Sequence, residues 1–198
     1  ITASYGHGLS VTPLHFITAF STAVNGGYYV KPGFARISAF QLDLHHRPQI
    51  FKAQTSLDIR KLLRLNVLVG SGTRSDVPGL LVGGKTGTAE KINQETGRYD
   101  GDLMISSYVA AFPMDDPQYS VFAMINEPKP DPESHIRPTG GVVAAPLVGR
   151  VIARIAPFLN IFANRLRARD FDKSLLDEWP DDVLQDDRLV KRIKAKLQ

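Results

Sequence analysis

The stretch Gly79-Leu80-Leu81-Val82-Gly83-Gly84-Lys85-Thr86 constrains this chain more than any other. It fits the phosphate-loop pattern G-x-x-x-x-G-K-[ST] letter for letter, yet its neighbours suit an extended strand. A phosphate loop needs a strand before its first glycine and a helix opening at the lysine, so that phosphate rests on N–H groups at a helix N-terminus. Here Leu80-Leu81-Val82 itself reads as strand. Thr86-Gly87-Thr88-Ala89 then places a glycine and two β-branched residues where the helix would begin. Asn126-Glu127 ends the later hydrophobic run and leaves no aspartate placed for magnesium. The expectation is an extended segment from Leu80 through Lys91, with a phosphate-loop NTPase as a minor alternative.

Two further apolar runs follow. Ser106 to Phe112 and Tyr119 to Ile125 are rich in β-formers, and they flank a turn from Pro113 to Pro117. The polar segment Asn93 to Asp102 reads as the loop before them. The middle of the chain is therefore expected to be an antiparallel meander of three strands. Before it, Thr12-Pro13 with Phe16, Ile17, Phe20, Ala23 and Val24 marks a capped helix that Asn25-Gly26-Gly27 stops. Tyr28 to Ile37 and Gln41 to Phe51 read as strand or irregular structure. A second helix, capped by Thr55 or Ser56, is predicted to run to about Val69 and end at Gly70-Ser71-Gly72. After the meander, Gly140-Gly141 precedes a helix over Val142 to Leu159, apolar round most of its circumference as a helix packed on a sheet would be.

Composition narrows the class without naming a ligand. The chain has 198 residues, 43% hydrophobic and 22% charged, enough for one substantial core. A net charge of +4 requires no nucleic-acid partner. With no cysteine, disulfides, thiolate metal sites and thiol nucleophiles are excluded. Arg150 and Arg154 interrupt the longest apolar run, so no membrane span is expected. His45, His46 and His135 lack ligand partners at helical spacing, and no metal or cofactor is expected. The tail is a charge dipole, with eight acidic residues from Asp170 to Asp187 and five basic ones from Arg188 to Gln198. Its end reads either as a basic amphipathic helix able to meet an anionic membrane or a partner, or as a solvated segment that neutralises its acidic neighbour.

On a strand, Thr86 and Thr88 project to one face, so their hydroxyls can converge on a carboxylate. Gly87 removes a side chain that would obstruct a peptide docking alongside as an extra strand. The triplet Lys85-Thr86-Gly87 does not stand alone. Tyr5-Gly6-His7-Gly8-Leu9-Ser10-Val11-Thr12-Pro13-Leu14, the Asn25-Gly26-Gly27 stop, Val77-Pro78-Gly79, Lys85 to Ala89, and Gly140-Gly141-Val142-Val143-Ala144-Ala145-Pro146 follow in order. In that order they resemble the C-terminal part of class B penicillin-binding proteins, the peptidoglycan D,D-transpeptidases, and most of all the division-specific septal type.

The resemblance implies an α+β fold of the penicillin-recognising, serine β-lactamase-like kind, an antiparallel sheet flanked by helices and here lacking its N-terminal section. It covers residues 1–163, with residues 164–198 a charged tail. By that resemblance Thr86, Gly87 and Thr88 bind the carboxylate end of a D-Ala-D-Ala stem peptide. The Thr88 backbone N–H supplies an oxyanion-hole donor, and Lys85 supplies positive potential to the proton-transfer network. The implied partners are peptidoglycan stem peptides and β-lactams, with divisome membrane proteins as candidates. The implied location is the periplasmic face of a bacterial inner membrane.

The family's nucleophile motif, Ser-x-x-Lys, is absent from the chain: Ser4 meets His7 three residues on, Ser71 meets Arg74, Ser134 meets Arg137 and Ser174 meets Asp177. Ser-x-Asn is absent too. Both lie upstream of the present motifs in the family, so the expectation is an active transpeptidase of which this chain holds one wall and is inactive alone. The competing reading is a non-catalytic module that binds stem peptides or division proteins. Of the remaining residues, His7 between glycines reads as a turn, and Arg74 and Asp76 as a solvated turn. Glu90 stands where related proteins often carry glutamine, adding a negative charge near the carboxylate site.

Overall fold

A computed structural model of the chain describes residues 10–35, 47–94, 96–130, 136–177 and 187–197. The chain forms two compact units, Ile1–Arg60 and Lys61–Gln198. The Tyr5 to Leu9 part of the first motif block, His7, His45, His46 and His135 lie outside the described residues.

In the first unit, helix α1 spans Pro13–Val24, with Thr12 as N-cap accepting from His15 N–H at 3.2 Å and proline in the first turn. Asn25 caps its C-terminus and bonds Tyr28 through both amide atoms, at 2.8 and 2.9 Å. Among the described residues the returning chain pairs by one bridge, Tyr28 with Gln49; residues 36–46, which hold part of both expected extended stretches, lie outside the described residues. Helix α2 spans Ala53–Val69 and begins earlier than expected. Thr55 and Ser56 therefore sit inside its first turn, and the Ser56 hydroxyl accepts from Gly26 N–H at 2.9 Å instead of capping.

The second unit is built on a sheet of order β1-β2-β3: β1 is Gly83–Ile92, β2 is Tyr99–Phe112 and β3 is Tyr119–Asn126, all antiparallel. The expected meander is present, with the loop after β1 shortened because Tyr99 to Asp102 already belong to β2. Leu80 to Val82 are not strand. Leu80 N–H closes a turn onto Val77 O, and Leu81 adopts φ 49°, which breaks an extended run. All three side chains are nonetheless buried, so the apolar run pays its way in the core and not in the ladder.

A π-type turn, Gly140–Ala144, opens helix α3 at Ala145–Ile155, and a 3-10 turn, Ala156–Leu159, closes it. Ala144, Ala145, Val148, Ile152 and Ala156 recur at helical spacing and pack on Leu80, Val82, Tyr108, Ala110 and Phe112. The 20-residue segment Gly140–Leu159 is long and apolar enough, by length and composition, to cross a membrane, contrary to the sequence expectation. Here its apolar face lies against the sheet, while Arg150 and Arg154 face solvent.

The described parts of the tail form two helices. Helix α4 spans Arg165–Asp177 and α5 spans Asp187–Leu197. Ile193 of α5 is buried with Leu68, Val69 and Leu175, while Lys191, Arg192 and Lys194 remain exposed. Asp172 of α4 binds the buried Arg64 of α2 in a two-pronged pair, at 2.7 and 2.8 Å, and Arg64 also reaches Asp76 at 2.8 Å. Asp76 is thus a partner in a buried cluster, not part of a solvated turn. Burial works against the Arg64 charge, but the two carboxylates outweigh it and hold its pKa above the ordinary value.

Tyr108 is fully buried, and its hydroxyl pairs with Ser75 Oγ at 2.6 Å. A Cβ at Gly72 or Gly84 would fall 2.7 or 2.5 Å from that hydroxyl, so both positions need glycine. Gly84→Ala would also press on Val109 O at 2.4 Å. It is expected to cost about 3 kcal/mol, seen as a lower midpoint in urea unfolding. Burial, partly opposed by the Ser75 hydrogen bond, pushes the Tyr108 phenol up to about 12 from 10.0. Because the folded value lies above the unfolded one, this contribution is whole below pH 10 and is lost as pH rises toward 12. Between those limits the chain is expected to lose roughly 2–3 kcal/mol more stability than Tyr108→Phe. Urea midpoints measured across that range check it.

Candidate active site

Lys85 to Ala89 lie within β1, opposite Val109 to Ile105 of β2. No helix begins at Lys85, so the phosphate-loop letters do not build a phosphate cradle. Among the described residues β1 pairs only with β2, which leaves its other edge open. Thr86 and Thr88 stand opposite Tyr108 and Ser106, and directly paired residues share a face. Both threonines therefore point to the face that carries α3, while Lys85, Gly87 and Ala89 point to the other.

The two hydroxyls do not meet each other; each is held by a different neighbour. Thr86 Oγ1 lies 2.8 Å from Ser71 Oγ, and Thr88 Oγ1 accepts from Gly140 N–H at 3.1 Å. Lys85 is exposed and folds its ammonium over Thr86, donating to Thr86 O at 2.9 Å and Oγ1 at 3.4 Å. The result is a row of hydroxyls beside one positive charge, with Thr86 half-buried and Thr88 exposed.

Nothing in the sequence marks Ser71 as a site residue, and its place depends on Asn66. The Asn66 carboxamide donates to Gly84 O at 2.8 Å and accepts from Ser71 N–H at 3.1 Å and Ser71 Oγ at 3.3 Å. Asn66 O takes the N–H groups of Gly70 and Gly72 at 3.0 and 3.2 Å. The last turns of α2 thus fix a glycine-flanked serine against β1. The only sequence signal was Gly70-Ser71-Gly72 itself, which reads equally well as a helix stop.

Gly140 comes down on the strand pair from above. A Cβ there would lie 2.3 Å from Ser107 O and 2.6 Å from Gly87 O, so only glycine lets the turn approach closely enough for its N–H to reach Thr88. A Cβ at Gly87 would fall 2.6 Å from Ser107 Oγ, so crowding from β2 also explains that glycine. Further along the edge, Glu90 pairs with Arg137 at 2.9 Å, both partly exposed. The negative charge expected near the hydroxyls is thereby matched by a guanidinium that the sequence did not bring to notice. Arg74 donates to Val142 O at 3.4 Å and so faces the Gly140 turn. Among the described residues no cluster of three or more metal-ligating side chains occurs.

An apolar cavity of about 480 Å³ in the first unit is lined in part by Leu14, Thr18, Tyr29, Ile50 and Phe51. It holds none of the residues of the β1 edge.

With this geometry in hand, comparison with known proteins is specific. Residues 1–153 match the family of the penicillin binding protein transpeptidase domain. A probable peptidoglycan D,D-transpeptidase FtsI of Caulobacter vibrioides is 41% identical over 168 residues, which is 80% of this chain and 28% of that protein. The stage V sporulation protein D of Bacillus subtilis is 34% identical over 168 residues, 81% of this chain and 25% of its own. Among solved structures, the apo transpeptidase domain of Burkholderia pseudomallei penicillin-binding protein 3 superposes with a TM-score of 0.65 at 27% identity, covering 82% of this chain and 47% of that one. Penicillin-binding protein 3 of Mycobacterium tuberculosis, solved with ampicillin, gives 0.63 at 26% identity, covering 80% and 37%. The chain spans about a quarter of the length of these curated relatives. Over that span, in sequence and in fold, it belongs to the penicillin-binding protein transpeptidase family as part of an α+β transpeptidase domain.

Proposed function

We propose that this chain is the carboxylate-binding wall of a peptidoglycan D,D-transpeptidase that acts at the division septum. The observation that carries the reading is the open edge of β1, where Lys85, Thr86 and Thr88 stand beside Ser71. A stem peptide ending in D-Ala-D-Ala docks there as an additional strand, its terminal carboxylate taking the hydroxyl hydrogens of Thr86 and Thr88 beside the Lys85 ammonium. Gly140 N–H donates to Thr88 Oγ1 and leaves that hydroxyl's hydrogen to turn toward the ligand. Ser71 Oγ gives its own hydrogen to Asn66, so Thr86 donates to Ser71 in the free chain and turns its hydrogen to the carboxylate on binding.

The register supports Thr88 N–H as an oxyanion donor. Gly84 O and Thr86 O are taken by the Asn66 and Lys85 side chains, off the β2 ladder. In an antiparallel pair, alternate residues turn both backbone groups to the same edge. Residues 84, 86 and 88 then share the open edge, and Thr88 N–H points into it. Such a donor is worth about 2.7–4 kcal/mol to the transition state.

The reaction needs a serine nucleophile, which residues outside these 198 supply. That serine attacks the carbonyl of the D-Ala-D-Ala bond, the amine of the terminal D-Ala leaves with a proton, and an amine on a neighbouring stem then attacks the acyl-enzyme and restores the serine. β-Lactams acylate the same serine with their carboxylate on the same hydroxyls. Residues 1–163 are the C-terminal part of that domain and residues 164–198 an added charged tail. The exposed Val11, Leu14 and Ile50 and the cavity beside them are apolar surface of the kind another section of the domain would cover. The septal role follows the FtsI relatives, and with it a membrane-anchored protein whose catalytic domain faces the periplasm beside other division proteins.

A fluorescent penicillin is expected to label the longer protein encoded with an upstream Ser-x-x-Lys and to leave the 198-residue chain unlabelled. Covalent labelling of a serine in this chain alone overturns the reading, and a reading frame that opens near Ile1 favours a non-catalytic binding module. In the longer protein, Thr86→Val and Thr88→Val each remove a hydrogen bond to a charged group. Each is expected to slow penicillin acylation about ten- to a hundredfold, measured as a second-order rate constant, with Thr86→Ser near wild type.

A further inference from the structure

Helix α4 lies beyond the residues that match the transpeptidase family, yet three attachments tie this part of the chain to the approach of β1. Asn164, just before the helix, donates its N–H to Gly79 O at 2.9 Å. Arg167 pairs with Asp115, and the adjoining Met114 N–H donates to Leu81 O at 2.9 Å. Asp172 grips Arg64 through both carboxylate oxygens, and both residues are about 95% buried.

Arg64 spends its remaining reach on the site. Its Nη1 donates to Val82 O at 2.9 Å and to Asp76 Oδ1 at 2.8 Å. Val82 is the residue before β1, and Asp76 ends the short turn that follows Ser71. One guanidinium therefore fixes both the backbone that leads to Thr86 and the segment that leads from Ser71, whose hydroxyl holds Thr86. A planar fork has no freedom to serve these partners from another angle, so whatever orients the fork sets their spacing. Asp172 is what orients it.

We propose that Asp172 is a positioning residue for the Lys85–Thr88 edge: the tail helix, acting through Arg64, holds the Ser71 turn and the start of β1 at the separation the hydroxyl row requires. This rests on the transpeptidase reading above, which names what the edge binds. The tail is then a strut of the active site, and a chain trimmed at the end of the matched residues carries its hydroxyls on an unbraced strand.

The test uses the longer protein with its own nucleophile. Asp172→Asn is expected to be acylated by a fluorescent penicillin about tenfold more slowly while still reaching wild-type stoichiometry. Peptides covering residues 70–88 are expected to exchange amide hydrogen faster. Asp172→Glu, which keeps a carboxylate, should recover most of the rate. Because Asp172→Asn leaves a buried guanidinium short of one anion and can unfold the protein, the double variant Arg64→Met/Asp172→Leu is measured beside it. It removes the guanidinium together with the deeper of its two carboxylates, leaving only Asp76, whose side chain is 20% exposed and can take up water, and it gives the same slow labelling and faster exchange. Wild-type labelling by a folded variant, with exchange changes confined to 165–177, overturns the proposal. If the wild-type protein takes no penicillin, the transpeptidase reading fails, and exchange across 70–88 in the double variant alone decides whether the strut exists.

Discussion

Tyr108 carries its phenol into a gap that exists because positions 72 and 84 have no side chains, and that contact decides how near the Ser71 turn can come to β1. The hydroxyl is bound to Ser75, which donates in turn to Gly72 O at 2.8 Å, so the turn is fastened to β2 across the strand it serves. A hydrogen bond of 2.8 Å between Ser71 and Thr86 tolerates only tenths of an ångström of drift. Neither serine nor threonine can impose that spacing by itself. It is imposed by a rigid aromatic wedge in a fully packed interior, where displacement means losing contacts on every side.

Two kinds of force hold the second unit, and they do different work. Burial of Val82, Phe112, Val148 and Ile152 between sheet and helix is non-directional and supplies the bulk of the stability. It would serve almost as well with β1 shifted slightly along its axis. The Arg64 cluster and the Asn66 carboxamide supply direction, since each bonds a particular carbonyl, Val82 O and Gly84 O, on alternate residues of the same edge. A buried ion pair of this kind is a poor source of net stability, because desolvation takes back most of the Coulombic gain. Its value here lies in fixing register along β1, where register determines which backbone groups face the open edge.

The sequence made local features legible. Thr12-Pro13 announced α1, and the alternation of threonine with glycine placed Lys85 to Ala89 on a strand despite a perfect phosphate-loop match. These succeed because capping and strand alternation are decided within a few residues. Leu80-Leu81-Val82 misled for the complementary reason. Their apolar character reported burial correctly, but Leu81 turns left-handed and Val82 O is taken by a guanidinium 18 residues earlier, which no local pattern encodes. The functional neighbourhood was equally split. Thr86 and Thr88 stood out by spacing, whereas Ser71 lies 15 residues from Thr86 and Arg137 lies 47 from Glu90. Asp172 is one of eight acidic residues in a run that reads as solvent-facing, and nothing in its flanks marks it as buried.

The choice of an open strand edge for the site has a consequence that the glycines make visible. An unpaired edge invites any extended chain, so a protein that keeps one must either cover it or make occupancy selective. On the function proposed above, selectivity comes from what stands just off the ladder. The Lys85 ammonium and the hydroxyls favour a chain that brings a carboxylate to that point, and the Glu90–Arg137 pair occupies the next position along the same face with its charges already matched. On that proposed function, the same edge that lends itself to aggregation in an ordinary sheet is reserved, by one charge and its neighbouring hydroxyls, for ligands that end in an anion.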